Sequence, residues 1–255
     1  MYRLALIAVL IAIVFVVGAV SMRAQPNPCP SSHTLYVEPG LSIQQAIDQA
    51  ANCGAGGGMS ENSGQTVAPW LVLVHPGDYE GFATRNGVDV AGMAPRSVLT
   101  GPVVCQSNTT LTNLTIEARD FMEQPALTVT EGAIQCSVHN SILVGAWSDS
   151  GYYRQHRAVA VKQTGGFLRV FDSDIRSGRV ILSPTVNWPA GNPVGMNFIR
   201  SRAWNGDFYI EGPNNALLML QSSVLEGNAL HNTSTAKIVY VKLSGNVGLG
   251  AGWTR

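Results

Sequence analysis

Acidic and basic side chains crowd one stretch of this chain. Asp172, Asp174, Arg176 and Arg179 fall close together, His156 and Arg157 precede them, and Asp207 and Glu211 follow. Residues two apart on a strand share a face, so Asp172 and Asp174 present the pair of carboxylates that acid/base work on a sugar requires. The same residues also fit a solvated turn in which each carboxylate is paired to a neighbouring Arg. Trp147, Tyr152, Tyr153, Trp188 and Trp204 fall in loops or beside Gly turns, where a ring either stacks on a sugar face or packs its loop onto the body. His75 precedes Pro76 in a turn and reads as structural. No Cys/His cluster has metal-ligand spacing, so neither a metal site nor a cofactor is expected.

The elements that position these groups begin after an export signal. Met1-Tyr2-Arg3 carries positive charge, and residues 4–22 run without a charged side chain. That pattern suits a cleaved signal peptide, and the run is also just long enough to anchor the chain in a bilayer. In both cases residues from about 25 onward face an extracytoplasmic space. Cys29, Cys53, Cys105 and Cys136 then suit two disulfides, Cys29–Cys53 and Cys105–Cys136 if each pairs within its own region, with buried free thiols as the alternative. Asn108, Asn113 and Asn232 each open an acceptor tripeptide for N-glycosylation. Lys plus Arg (16) equals Asp plus Glu (16), and no basic run stands out. Nucleic acid is therefore not an expected partner.

Three segments follow: 1–24 as signal or anchor, 25–69 with one helix and a Gly-rich loop, and 70–255 as a succession of short strands. The helix is read over 42–51, because Ser42 and Gln45 make a capping-box pattern and Ile43, Ala46, Ile47 and Ala50 fall on one face. The strands are punctuated by Gly, Asn, Asp and Pro turns, and a repeat runs through them. Asn140-Ser-Ile-Leu-Val-Gly145 recurs as Ser173-Asp-Ile-Arg-Ser-Gly178, Ser201-Arg-Ala-Trp-Asn-Gly206 and Ser222-Ser-Val-Leu-Glu-Gly227. One coil of a solenoid cannot bury its own inward residues, so Ile142, Ile175, Ala203 and Val224 are expected to stack along an axis. The preceding Asn and Ser residues should bond to the next turn, and the Gly residues should supply left-handed corners. The fold expected is all-β: a right-handed parallel β-helix with a short N-terminal capping helix. The Gly-rich C-terminal tail has no capping helix, leaving room for self-association or a partner at that end.

Ser42-Ile-Gln-Gln-Ala-Ile-Asp48 is similar to the capping helix that opens pectin methylesterases and their pectin lyase-like relatives. Val72-Leu-Val-His-Pro-Gly-Asp-Tyr-Glu80, Val88-Asp-Val-Ala-Gly92, Ser97-Val-Leu-Thr-Gly101 and Leu111-Thr-Asn-Leu-Thr-Ile-Glu117 resemble the coils that follow in that family. The resemblance covers residues 42–145 and implies the β-helix. It would place an oxyanion-holding Gln at Gln124 and a general acid/base at Asp149. No acidic residue lies in 158–166, where the family's nucleophile falls, and Asn187-Trp-Pro189 lacks the family's Arg. A carboxylate nucleophile cannot be replaced by Val or Ala. An esterase built on this chain would need Asp172 or Asp174 to approach Asp149, steadied by Arg157 or Arg176. The leading expectation is an exported, non-catalytic surface, adhesive or fibre component that binds a polysaccharide or cell-surface glycan. A polysaccharide esterase or lyase, and a structural part of a virion or other extracellular assembly, are the alternatives.

Overall fold

The computed structural model describes residues 29–54, 69–94, 97–106, 108–118, 124–131, 133–145, 158–185, 194–204, 206–226, 228–246, 248 and 250–253. The expected signal or anchor, residues 1–24, lies outside them. Among the described residues no helix is long and apolar enough to cross a membrane. The chain forms two compact units, 1–30 and 31–255, and of the first only Cys29 and Pro30 are described.

The single helix described, Ile43–Asn52, follows from its capping and its apolar stripe. Ser42 Oγ accepts the Gln45 amide at 3.3 Å, and Ile43, Ala46, Ile47 and Ala50 are buried. It packs on the strands Thr34–Val37, Trp70–Val74 and Val88–Gly92. Gln44 Oε1 accepts the Ala83 amide at 2.8 Å, and Asp48 pairs with Arg85 at 3.2 Å, so the helix is tied to the coils beside it.

All strand pairings are parallel, and among the described residues they make three sheets of nine, seven and six strands. The chain visits each sheet once per coil, which makes a parallel β-helix-like solenoid. One coil runs Phe167–Phe171 in the first sheet, Asp174–Arg176 in the second and Arg179–Leu182 in the third. Residues in register stack along the axis at about 4.8 Å per coil. In the first sheet, Val72, Val90, Leu111, Val138, Val170, Phe198 and Leu220 form one buried inward column. In the second, Ile116, Leu143, Ile175, Ala203 and Leu225 form another.

Ile175 and Ala203 point inward as expected, but Ile142 and Val224 do not. Ile142 is half-buried and aligned with Asp174 on the outer face, and Val224 is 38% exposed. The inward residues of those coils are Leu143 and Leu225. Aligning the repeat on its Gly residues shifts the first and last copies by one, and a one-residue slip moves a strand's whole side-chain set to the other face. The invariant column is serine. Ser141 N–H donates to Ser173 Oγ (3.0 Å), Ser173 N–H to Ser201 Oγ (3.3 Å), Ser201 N–H to Ser223 Oγ (3.3 Å), and Ser223 N–H to Asn246 Oδ1 (2.9 Å). These bonds span 32, 28, 22 and 23 residues, the true lengths of the coils.

The left-handed corners also differ from expectation. They are held by Asn113, Asn140, Asp172, Arg200 and Ser222, with φ of 54°, 46°, 49°, 49° and 51°, each one residue before its serine or leucine. The repeat's Gly residues answer a different need. A Cβ at Gly178 would sit 2.7 Å from the Ala160 nitrogen, and Gly145 and Gly206 are crowded by backbone likewise.

Cys105 and Cys136 are disulfide-bonded as expected, with Cα atoms 6.3 Å apart, and both are fully buried. Their separation of 31 residues makes the bond worth about 3.7 kcal/mol by loop-closure entropy. Cys29 and Cys53 are disulfide-bonded too, and no cysteine is free. Such bonds persist in oxidising compartments.

At the far end the tail contributes more than its Gly content implies. Trp253 packs edge-on against Phe208 at 5.4 Å and donates its indole N–H to Asn228 O at 2.6 Å. Among the described residues no further strand pairs with the last strand of the first sheet, Val239–Ser244, and its inward Val239, Val241 and Leu243 are only half-buried.

Candidate functional site

Among the described residues, Asp172 and Asp174 of the charged stretch take different partners. Asp172 stands at a left-handed corner before the strand Asp174–Arg176, so the face-sharing rule for strands does not apply to it. It makes a bidentate pair with Arg200 of the next coil, both contacts at 2.7 Å, and that guanidinium holds its carboxyl below the usual range. Asp174 faces outward from the second sheet and pairs with Arg176 at 2.6 Å. Asp207 contacts His231 at 2.9 Å and accepts the Ala229 amide at 2.7 Å. Arg202 pairs with Glu226. The charges therefore meet mainly across coils or at i, i+2.

Trp204 is not a free sugar platform. The guanidiniums of Arg176 and Arg202 lie over its ring at 5.4 and 5.6 Å. Gln124 is exposed in a bend ahead of the strand Leu127–Val129 of the third sheet. Asp149, Arg157, His156, Trp147, Tyr152, Tyr153 and Trp188 lie outside the described residues. His75 is a corner residue, its Nε2 3.3 Å from Glu38 and its carbonyl accepting the Tyr79 hydroxyl at 2.9 Å. Of the three acceptor asparagines, Asn108 and Asn232 are exposed and use Oδ1 to hold backbone amides, of Gln135 and Ser234. Asn113 sits at a corner, where its Oδ1 accepts from Asn140.

A different set of residues converges on the outer face of the first sheet. Asp89, Thr110 and Ser137 occupy the same outward position in the strands Val88–Gly92, Thr109–Thr112 and Gln135–His139. Val90↔Leu111 and Leu111↔Val138 fix that register. With Asn86, Asn108 and Gln135 they line a groove of about 520 Å³, to which Pro69 and Ile134 also contribute. Ile134 is 62% exposed and offers an apolar edge.

Among the described residues, Asp89 is the only charged side chain lining this groove. Its Oδ1 accepts the Thr110 amide at 2.7 Å, and burial pushes its carboxyl above the usual range, against the lowering by those Thr110 hydrogen bonds. Gln135 Nε2 donates to Ser137 Oγ at 3.1 Å. Among the described residues, no hydrogen bond engages the Asn86 amide, Asn108 Nδ2 or Gln135 Oε1. The groove thus combines amide donors and acceptors, hydroxyls and one desolvated carboxylate, a lining suited to a hydroxyl-rich ligand. Among the described residues no three His, Cys, Asp or Glu side chains are grouped to hold a metal ion.

Comparison of the chain with known protein families, with curated proteins and with solved structures finds no match.

Proposed function

We propose that this chain is an exported, pectin lyase-like right-handed parallel β-helix that acts outside the cell as a non-catalytic, glycan-binding surface component. The observation that carries the reading is the groove over Asp89, Thr110 and Ser137. Its volume lies in the range of small-ligand sites, and its unengaged amides are the groups that sugar hydroxyls satisfy. The signal-like residues 4–22 and the two disulfides support export.

The test is binding of the purified protein to a panel of immobilised polysaccharides, beside an activity screen on pectin and alginate. Ser137→Trp fills the groove from an outward position and should abolish binding, while Lys237→Ala, remote and exposed, should not. Binding that survives Ser137→Trp would remove the groove from the reading.

A second reading is an acid/base enzyme, favoured by the upward shift of Asp89 in a concave site. Release of methanol or of unsaturated products, abolished by Asp89→Asn, would establish it in place of the first.

A further inference from the structure

Among the described residues that line the groove, the carboxylate of Asp89 faces no cation. Its hydrogen-bond partner is Thr110, a neutral residue. Arg85 lies next in sequence to Asn86, but its guanidinium is drawn to Asp48 at 3.2 Å and does not line the groove. Along the outward column the register runs Asp89, Thr110, Ser137, Arg169, so the first cation is three coils away, roughly 14 Å. That exceeds the screening length in physiological salt, about 8 Å. Arg169 is in any case turned over the Phe167 ring at 5.4 Å.

A half-buried negative charge without a cationic partner costs free energy that a bound cation returns. A second carboxylate brought into the same groove would add like-charge repulsion in a poorly solvated place. The rest of the lining, Asn86, Asn108, Thr110, Gln135 and Ser137, is neutral and pairs with hydroxyls or amides of either ligand. Charge is therefore what discriminates among glycans here.

We infer that the groove over Asp89 selects glycans that carry a protonated amine, of the amino-sugar class, and rejects uronic-acid polymers. This rests on the glycan-binding reading above and gives it a ligand class opposite in charge to the polyuronides that the family resemblance implies.

The experiment is calorimetric titration of the purified protein with three oligomers of equal length: glucosamine, N-acetylglucosamine and galacturonate. The pH is mildly acidic, so that the amines are charged. The glucosamine oligomer should bind tighter than its N-acetylated counterpart by roughly tenfold or more, the worth of one charge-assisted hydrogen bond. Galacturonate should be the weakest. Asp89→Asn should bring the first two affinities together, and added salt should narrow the gap in the parent protein itself. Equal or tighter binding of the acetylated or the acidic oligomer by the parent would overturn the inference and leave glycan binding standing. Failure of all three to bind would overturn both.

Discussion

The serine ladder makes a quantitative demand on stability that replacement of Ser173 by Ala tests. Ser173 is 3% exposed, and its Oγ does two things: it accepts the Ser141 amide at 3.0 Å and donates to Phe171 O at 2.6 Å. After Ser173→Ala the Phe171 carbonyl still accepts the Asn140 amide at 3.0 Å, so it stays satisfied. The Ser141 N–H does not, because Ser141 is 2% exposed and its own Oγ is committed to His139 O and Leu114 N. One buried donor is orphaned and almost no volume is lost, so the change should cost about 1–3 kcal/mol. In urea the midpoint should fall at constant slope. The Tm should drop by about 2–4 °C for each kcal/mol in a domain of this size. Amide exchange at Ser141 should accelerate by roughly 5- to 150-fold, the same free energy read locally. Ser32→Ala, at an exposed site whose hydroxyl contacts only Thr34 O, should stay within about 0.5 kcal/mol of the parent. A Ser173→Ala protein as stable as Ser32→Ala, with Ser141 still protected, would refute the ladder as a source of stability.

Two further outcomes test the register and the groove. Leu143→Asp should unfold the central coils by burying an unpaired charge, whereas Ile142→Asp, on the outer face beside Asp174, should fold; thermal melts with the reverse order would restore the slipped register. For Asp89 the folded carboxyl titrates higher than the unfolded one, so its contribution is fully present below the unfolded value, about 3.9, and is lost as pH rises through the folded value. Asp89→Asn should therefore be more stable than the parent at neutral pH, with the gap closing near pH 4; a variant that is less stable at neutral pH would contradict the desolvation argument. Asp172 titrates with the opposite sign, its pairing with Arg200 being lost only as pH falls through its lowered value, so it does not mask that window.

Much of the frame was legible because burial in a coil obeys simple periods. The helix showed in its cap and its i, i+3, i+4 stripe, and the solenoid in its recurring Ser/Asn-to-Gly phrase. The register was not fully legible, since the phrase varies in length between its serine and its Gly: Ser141 is followed by Gly145, but Ser173 by Gly178. Only the hydrogen-bonding partner of each serine shows which end is the anchor. Trp253 gave no sign of its packing role because its partner Phe208 lies more than a coil earlier, outside any local pattern.

The grouping of charges along the chain differs from their grouping in space for a reason that belongs to the architecture. In a solenoid, residues adjacent in sequence often diverge around a corner, while residues one coil apart converge. Asp172 and Asp174 are close in the chain and take different partners; Asp172 finds Arg200 across 28 residues, and Arg202 finds Glu226 across 24. A local run of charge thus becomes a row of ion pairs shared between coils. Asp89 stood alone in its strand and carried no such run, and Thr110 and Ser137 looked like ordinary strand residues. Their convergence exists only at coil spacing, 21 residues from Asp89 to Thr110, and it creates a carboxylate that faces no compensating cation among the described lining residues. An uncompensated charge held in a groove is a stronger pointer to a ligand than a compensated cluster on a rung, because above its raised titration range its free energy improves when a cation binds.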